Sequence, residues 1–434
     1  MPARRIVLST LGSLGDLHPI MGLALGLKAR GHDVVLATSE FYRQKIQSAG
    51  IAFSPLRPLA SPDDPQMLRR VLDSRKGPEY LIRELLLPHL GEMYEDMLSA
   101  TRDAELLISG EVVLAAPLVA EKRRLPWAAA ILAPFSFFSI FDPPALPFFP
   151  PFLAWTQLLT RSAPLLQRGV LHAARFATRD WGRPIEELRR SLGLRPTRHP
   201  LLLDRFSPLL NLALFSGVLG RRQPDWPART VQTGFIFYDQ DRGGGRLPDV
   251  LLDGGPAPIT FTLGSTAVMD PGRFFEESTA AARLMGRRAL LLMGKNAAAE
   301  PLSRDVFAAD YAPYSEVFPR SACIVHQGGV GTTAQALSAG VPQLVMPYAF
   351  DQPDNAARVV RLGVGLSIGR QRYRADRAAG LLERLLGSAE FARCAAEAGQ
   401  TIRAEDGLAK ACETIESAMA DENAMAALHC AAGD

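Results

Sequence analysis

A short apolar run followed by a glycine loop and a helical pattern occurs in both halves of the chain, and this repeat constrains the fold most. The first copy has a β-rich segment over residues 5–10, followed by the loop Leu11-Gly-Ser-Leu-Gly-Asp16. Apolar residues at helical spacing continue from Pro19, which suits a first helical turn, and Gly31 suits the stop. A second apolar run over 34–37 completes one βαβ unit.

Further apolar segments repeat this alternation of strand and helix. They are apolar throughout, which is typical of parallel strands that helices bury on both faces. A helix is predicted over about 273–285, after the strand and the Gly264-Ser265 turn. The remaining predicted strands are 106–109, 128–132, 259–263, 289–293, 322–325 and 343–346.

A polar, glycine-rich stretch separates the two halves. Its sequence, Asp239-Gln-Asp-Arg-Gly-Gly-Gly-Arg246, is typical of a linker. We therefore predict an α/β fold with two doubly wound domains, residues 1–240 and 241–434. The stretch after Thr401 is predicted to be helical, and the last residues, 427–434, to be frayed.

Composition excludes several classes of protein. The net charge of +3 over 434 residues, without a dense basic run, gives no reason to expect a nucleic-acid partner. The four cysteines show no C-x-x-C spacing, so we expect reduced thiols in a cytoplasmic protein and neither zinc nor disulfides. The apolar stretch from Leu125 to Trp155 contains repeated prolines and Asp142, so it is not predicted to span a membrane.

The glycine loop that begins at His326 has the form of a phosphate site. It reads His326-Gln-Gly-Gly-Val-Gly-Thr-Thr333, with a predicted strand before it and a predicted helix from about Thr332. Glycines allow a ligand to approach the backbone closely, and a helix N-terminus offers N–H groups and positive potential. His326 is a candidate cation or donor for the phosphate. A tight turn without a ligand is the alternative.

A second polar pair follows the next predicted strand. Asp351 and Gln352 come after the run ending at Met346, with Gly340-Val-Pro342 before that run. Ligands of open α/β sheets bind outside the carboxyl ends of the strands, so this pair is expected to share the crevice with the glycine loop. A carboxylate beside an amide suits two neighbouring hydroxyls of a sugar ring. A helix cap is the simpler alternative.

These motifs together resemble the donor signature of family 1 glycosyltransferases. The matching elements are His-x-Gly-Gly-x-Gly-Thr-Thr, Gly-Val-Pro and Asp-Gln-x-x-Asn-Ala, and the bacterial sterol, antibiotic and rhamnolipid subgroup is the most similar. The resemblance is dense over 311–365 and 4–38 and thin between them. It implies the GT-B fold, in which two Rossmann-like domains face each other across a cleft that holds the active site.

The resemblance also implies roles for individual residues. His326 would contact the diphosphate of a nucleotide-sugar donor, and Asp351 with Gln352 would hold sugar hydroxyls. Tyr311 would stack on the nucleobase. The other residues expected to line the donor are Gly15, Ser265, Gly328, Gly329, Gly331, Thr332 and Thr333.

One position departs from the plant members of the family. They hold the ribose hydroxyls with a glutamate late in the glycine loop, where this chain has Ala334. The expected donor is therefore a UDP- or dTDP-sugar, and the sequence leaves that choice open.

Sugar transfer with inversion needs a base that takes the proton from the acceptor hydroxyl. The loop Gly12-Ser-Leu-Gly-Asp16 supplies a carboxylate, and in the resemblance Asp16 stands at the position of the base. Asp16 could instead cap the following helix, and both roles can coexist. His18 is a weaker candidate for acceptor contact. Glu111 is either an orienting partner of the base or a solvated loop residue.

We expect no metal and no other cofactor. Asp239-Gln240-Asp241 matches the Asp-x-Asp pattern of metal-dependent transferases in letters, but it lies in the predicted linker. The seven histidines show no i, i+4 pair. The helix N-terminus and His326 would then stabilise the charge on the leaving group.

Two segments rich in phenylalanine and proline are the candidates for acceptor binding. They cover residues 133–141 and 144–152, and they suit the mouth of an apolar pocket or a loop packed on the core. Phe135, Phe138 and Phe141 are the candidate contacts for a lipophilic hydroxylated acceptor such as a lipid, sterol or flavonoid. Peripheral contact with the inner face of the membrane is a further expectation.

Two other functions are compatible with such a fold. A nucleotide-sugar epimerase would also use two such domains, but it generally needs more acid and base carboxylates and lacks an apolar acceptor loop. A non-catalytic protein that binds a glycolipid or nucleotide would not need Asp16, His326 and Asp351 together. A dehydrogenase is disfavoured because the first loop lacks G-x-G-x-x-G.

Overall fold

The structure is a computed structural model that describes residues 2–59, 64–145, 164–238, 251, 254–294 and 305–421. Its strands form two parallel sheets, one of seven strands and one of six. The strands of the first sheet are β1 Arg5–Ser9, β2 Asp33–Thr38, β3 Ala52–Pro55, β4 Leu106–Gly110, β5 Trp127–Ile131, β6 Leu210–Ala213 and β7 Thr230–Gln232. Those of the second are β8 Ile259–Thr262, β9 Ala289–Leu292, β10 Val306–Ala309, β11 Cys323–His326, β12 Gln343–Val345 and β13 Gly365–Ser367.

Each sheet reverses its strand order at its first strand. The orders are β3-β2-β1-β4-β5-β6-β7 and β10-β9-β8-β11-β12-β13, and every pairing is parallel. This is the doubly wound pattern predicted from the sequence, and such sheets bind ligands where the order reverses. The β1 and β4 loops in the first sheet, and the β8 and β11 loops in the second, lie at these points.

Helices cover both faces of the sheets. Those before the second sheet are α1 Leu14–Ala29, α2 Arg43–Ser48, α3 Pro65–Val71, α4 Leu90–Ala100, α5 Ala116–Arg123, α6 Pro164–Thr178 and α7 Arg183–Ser191. Those that follow are α8 Phe274–Leu284, α9 Tyr314–Val317, α10 Val330–Ala339, α11 Gln352–Arg361, α12 Ala375–Leu386, α13 Ala389–Arg403 and α14 Gly407–Ala420. No helix in the described part of the chain is long and apolar enough to cross a membrane.

The first helix begins earlier than predicted. It starts at Leu14 because Ser13 and Asp16 form a capping box, in which the side chain of each residue accepts a hydrogen bond from the backbone N–H of the other. Pro19 therefore lies inside the helix and not in its first turn, which corrects the prediction. Gly31 has a φ of 91° directly after the helix, as a stop requires.

The last helix returns to the first sheet. α14 packs against α1, where a Cβ added at Gly26 would lie 2.7 Å from Leu408 Cδ1. Arg30 Nη1 and His32 Nε2 also contact the carboxylate of Glu416, at 2.9 and 3.3 Å. Helix α14 thus connects the second half of the chain to the first, at a place remote from the carboxyl ends of the strands. The predicted linker at 239–246 and the frayed end at 427–434 lie outside the described residues.

Candidate functional site

The glycine loop of the second half is shaped by a buried histidine. His326 ends β11 with no exposed surface. Its Nδ1 accepts the N–H of Gly328 at 3.1 Å, and its Nε2 lies 2.9 Å from the Gln343 Oε1. The first bond requires an unprotonated Nδ1, so Nε2 carries the proton and donates it to Gln343.

Burial lowers the pKa of His326 to about 4, although the bond to Gln343 favours the charged form. The imidazole is therefore neutral at physiological pH. This corrects the expectation that it acts as a cation toward phosphate, since desolvation disfavours the charge and both ring nitrogens contact the protein. In the structure the ring fixes the first turn of the glycine loop.

Close packing makes glycine necessary at Gly328. Its φ is 90°, and a Cβ there would lie 2.8 Å from Val345 Cγ1 and 3.1 Å from the Gln352 carbonyl oxygen. The loop therefore lies against the start of α11, which carries the second polar pair. Gly331, in the first turn of α10, lies against Gly15 in the first turn of α1, where an added Cβ would be 3.9 Å from the Gly15 Cα.

Two helix N-termini thus meet across the cleft between the sheets. The first turns of α1 and α10 lie side by side here, so the positive ends of both helix dipoles lie near this junction, although in α1 the Gly15 N–H is already bonded to the Ser13 side chain. A diphosphate is the kind of group that such a junction stabilises.

Further predicted donor residues surround the loop. Gly264 precedes Ser265 and has a φ of 65°, and a Cβ there would lie 3.3 Å from Thr332 Oγ1. Ser265 is exposed beside it. Thr333 is fully buried, and its hydroxyl makes no hydrogen bond to the described residues. Tyr311 lies after β10 with 46% of its surface exposed, as a stacking platform requires.

Asp351 and Gln352 lie at the N-terminus of α11. The Asp351 Oδ2 accepts the Val330 N–H at 3.2 Å and the Asn355 amide at 2.7 Å. The Gln352 Oε1 accepts the N–H of Tyr348 at 2.9 Å. The amide nitrogen of Gln352 makes no hydrogen bond to the described residues, so it is available to a ligand.

Asp16 faces Asp351 across the cleft. Its Oδ2 accepts the Ser13 N–H at 2.8 Å, while its Oδ1 makes no hydrogen bond to the described residues. Burial raises the pKa of Asp16 to about 6, with a smaller increase from the charge of Glu111. Burial also raises the pKa of Asp351 to about 7, and the negative charge of Asp16 adds to this increase. The negative charge of Asp16 therefore disfavours ionisation of Asp351.

Glu111 supports the segment that carries the candidate acceptor residues. It accepts the Ser136 hydroxyl at 2.7 Å and pairs with Arg205 at 3.1 Å. The guanidinium of Arg205 lies 5.8 Å from the centre of the Phe138 ring. Glu111 is thus neither a solvated loop residue nor a hydrogen-bonded partner of Asp16, and it holds the acceptor segment in place.

The phenylalanines of residues 133–141 divide into two groups. Phe137 is buried and stacks on Trp226 with 4.0 Å between ring centres, so it belongs to the core. Phe135 and Phe138 are half-buried and contact each other, and Phe141 is 44% exposed. The core-packing interpretation therefore holds for Phe137, and the pocket-mouth interpretation stays a prediction for the other three rings. The candidate residues 146–152 lie outside the described residues.

The remaining predictions have mixed outcomes. The His18 ring packs 5.3 Å from the ring of Tyr238, and its predicted contact with the acceptor stays a prediction. Asp239-Gln240-Asp241 is outside the described residues. Among the described residues no group of three His, Cys, Asp or Glu could hold a metal ion. The expectation of metal-free chemistry stays a prediction.

Sequence reasoning missed two residues of the site. Gln327 donates its amide to Thr332 Oγ1 at 3.4 Å and lies beneath Gly264, between the two loops. Arg358 lies two turns into α11, where it follows Asp354 by four residues. This i, i+4 spacing of opposite charges was the signal available for Arg358. Nothing in the local amino-acid sequence distinguishes Gln327 from an ordinary loop residue.

Comparison with known proteins agrees with this geometry. Residues 6–120 match the glycosyltransferase family 28 N-terminal domain, and residues 292–415 match the erythromycin biosynthesis protein CIII-like C-terminal domain. The chain is 33% identical over 431 residues to the O-mycaminosyltylonolide 6-deoxyallosyltransferase of Streptomyces fradiae, covering 95% of this chain and 97% of the relative. It is 26% identical to the sterol 3-beta-glucosyltransferase of Aspergillus terreus, covering 95% of this chain but 30% of that longer protein.

A solved structure shows the same fold. The spinosyn rhamnosyltransferase SpnG, complexed with thymidine diphosphate, superposes with a TM-score of 0.66 at 18% identity, covering 95% of this chain and 100% of that one. The two doubly wound sheets are therefore those of the GT-B fold. With a relative 33% identical over nearly its whole length, the chain belongs to the family 1 glycosyltransferases and is a sugar-transferring enzyme.

Proposed function

We propose that this enzyme moves a hexose or deoxyhexose from a UDP- or dTDP-sugar to a hydroxyl of a lipophilic small molecule, with inversion and without a metal ion. The observation that supports this most is the meeting of the α1 and α10 N-termini, with Asp16 and Asp351 on opposite sides. A diphosphate bound at the two helix ends brings the anomeric carbon between these carboxylates.

Asp16 is proposed as the general base. One of its oxygens is held by Ser13, and the other is left for the acceptor hydroxyl. A pKa of about 6 keeps the carboxylate ionised at neutral pH while leaving it basic enough to accept a proton as the hydroxyl attacks. The new glycosidic bond forms on the face opposite the diphosphate, which leaves with the electron pair of the broken bond.

The donor side has three proposed parts. The N–H groups of the first turn of α10 stabilise the diphosphate as negative charge develops on it. Asp351 and the amide of Gln352 hold sugar hydroxyls, and Tyr311 stacks on the base. His326 contributes by fixing the Gly328 turn, because its imidazole is neutral and bonded to Gln343.

The acceptor is proposed to be an apolar molecule with a free hydroxyl. Apolar surface on the side of the cleft formed by the first sheet comes from the half-buried rings of Phe135 and Phe138 and the exposed ring of Phe141. The names of two relatives support this proposal, since one is named for transfer to O-mycaminosyltylonolide and the other for transfer to sterols. Peripheral membrane contact through this exposed apolar surface also stays a prediction.

The test is an assay of nucleoside diphosphate release. The protein is incubated with UDP-glucose or dTDP-rhamnose in EDTA, with and without quercetin or ergosterol as acceptor probes. Release that depends on the acceptor supports the proposal. Donor sugars that interconvert without any acceptor would favour an epimerase instead.

A further inference from the structure

Helix α11 makes polar contacts with the acceptor segment of the first half. The Asp354 Oδ1 accepts the Ala145 N–H at 2.9 Å, and Arg358 Nη1 donates to Asp142 Oδ2 at 2.5 Å. Arg361 also reaches Asp142, at 3.3 Å. These contacts link residues more than 200 positions apart in the chain, across the cleft.

Arg358 is the centre of this group. Its side chain is 1% exposed, its Nε donates to Asp354 Oδ2 at 2.7 Å, and its Nη1 also reaches the carbonyl oxygen of Leu219 at 3.3 Å. A buried charge is costly unless it is paired and hydrogen-bonded. Burial opposes the charge, but attraction to Asp354 and Asp142 outweighs it and raises the pKa of Arg358. The arginine is thus charged, and it depends on a carboxylate from the other domain.

The same helix carries the proposed donor residues at its first turn. Asp351 precedes α11 directly, and the Asn355 amide donates both to Asp351 and to the Gly328 carbonyl oxygen, at 2.7 and 2.9 Å. Asp354 lies in the same first turn, and Arg358 follows it one turn later on the same helix. A movement of the acceptor segment at Asp142 is therefore passed to the helix that holds the donor pair.

We propose that Asp142, Asp354 and Arg358 form a positioning cluster that fixes the acceptor segment against helix α11, and so places the acceptor hydroxyl relative to the donor sugar. The inference rests on the proposed function, because it assumes that residues 133–145 border the acceptor. The cluster itself touches no reacting atom. Its role is to act through the acceptor segment, so its loss weakens acceptor binding more than donor binding.

A glycine beside the cluster supports this inference. A Cβ added at Gly220 would lie 2.6 Å from Pro134 Cγ and 3.0 Å from Arg358 Nη1. The missing side chain leaves space for the guanidinium beneath the start of the acceptor segment. Gly220→Ala is therefore a second perturbation of the same junction that removes no charge.

The first test needs no substrate. Hydrogen exchange is followed in wild type, Asp142→Asn, Arg358→Lys and Gly220→Ala, with Arg393→Lys as control because Arg393 forms an exposed ion pair on α13. In the first three variants we expect exchange over 133–145 to be at least about fivefold faster, with 326–340 unchanged. Unchanged exchange over 133–145 in all three variants would overturn the proposal, as would equal acceleration in the control.

The second test is kinetic and uses quercetin as the acceptor probe with UDP-glucose or dTDP-glucose. We expect Asp142→Asn to raise the acceptor KM about tenfold and the donor KM less than about twofold. In the double variant Asp142→Asn with Arg358→Lys, the increase in acceptor KM should not exceed the larger of the two single increases. Equal increases of both KM values, or fully additive effects, would contradict the cluster. If wild type moves no sugar with any probe, the proposed function fails, and the exchange experiment still decides whether the cluster holds the segment.

Discussion

Replacing Asp16 by asparagine separates its chemistry from its structural role. An asparagine keeps an oxygen that can accept the Ser13 N–H, so the start of α1 should be preserved. It cannot take a proton from the acceptor. We therefore expect the rate of sugar transfer to fall by about 10²- to 10⁴-fold, which is the usual contribution of a general base.

The same substitution should stabilise the protein above pH 6. The pKa of Asp16 is raised from 3.8 to about 6, so the ionised form is disfavoured in the folded state. A shift of this size corresponds to about 3 kcal/mol of folding free energy at pH 8, at 1.36 kcal/mol per pKa unit. Because the folded pKa lies above the unfolded one, this cost grows between about pH 4 and pH 6, stays constant above pH 6, and is only about 1 kcal/mol at pH 4.5.

Two assays compare wild type with Asp16→Asn, one for the rate of sugar transfer and one for thermal stability. The pH dependence of kcat/KM in wild type should fall about tenfold per pH unit below pH 6, as the base becomes protonated. Thermal unfolding of Asp16→Asn should occur about 2–3 °C above wild type at pH 8, and the difference should shrink at pH 4.5. Asp33→Asn is the control, because Asp33 is exposed and remote from the cleft.

Either of two results would refute this reasoning. A transfer rate of Asp16→Asn equal to wild type would show that Asp16 is not the base. A gain in thermal stability that is the same at pH 4.5 and pH 8 would show that its carboxylate is not desolvated. Asp33→Asn should change neither quantity.

The other predictions concern the donor side. Gln352→Ala should raise the donor KM about tenfold with little change in the acceptor KM, as initial rates against both substrates would show. Gly328→Ala should destabilise the protein by about 1–3 kcal/mol in thermal unfolding, because a Cβ would lie 2.8 Å from Val345 Cγ1, and by more than Gly286→Ala, which has a positive φ but open space. The NMR resonance of His326, assigned with a His326→Gln variant, should not titrate between pH 5.5 and 8, because its pKa is about 4. EDTA should leave the transfer rate within about 1.5-fold of its value, since the helix ends are expected to carry the leaving-group charge.

Most of the fold could be predicted from the sequence because buried parallel strands are apolar throughout. The runs at 106–109 and 289–293 were predicted to within a residue of β4 and β9. The strands β3, β6, β7, β10 and β13 were missed, since segments of three or four residues give little pattern. The start of α1 was misplaced because Pro19 suggested a first turn, while the Ser13 and Asp16 side chains form the actual cap.

The sequence predicted which loops form the candidate site, but not how their side chains contact each other. The glycine motifs indicated which strand ends carry the ligand contacts, because sheet topology fixes where those ends lie. The neutral state of His326 depends on its burial and on Gln343, which lies on the neighbouring strand. The ion pair of Arg358 with Asp142 joins distant parts of the chain, and no local pattern encodes such a contact.

The most direct test of the account is the stereochemistry of one transfer. Proton NMR would follow wild type and Asp16→Asn with UDP-α-glucose or dTDP-α-glucose and quercetin, in EDTA. We expect wild type to form a β-glucoside only when quercetin is present, and Asp16→Asn to form almost none. An α-glucoside, or a donor sugar converted to another without the acceptor, would contradict it.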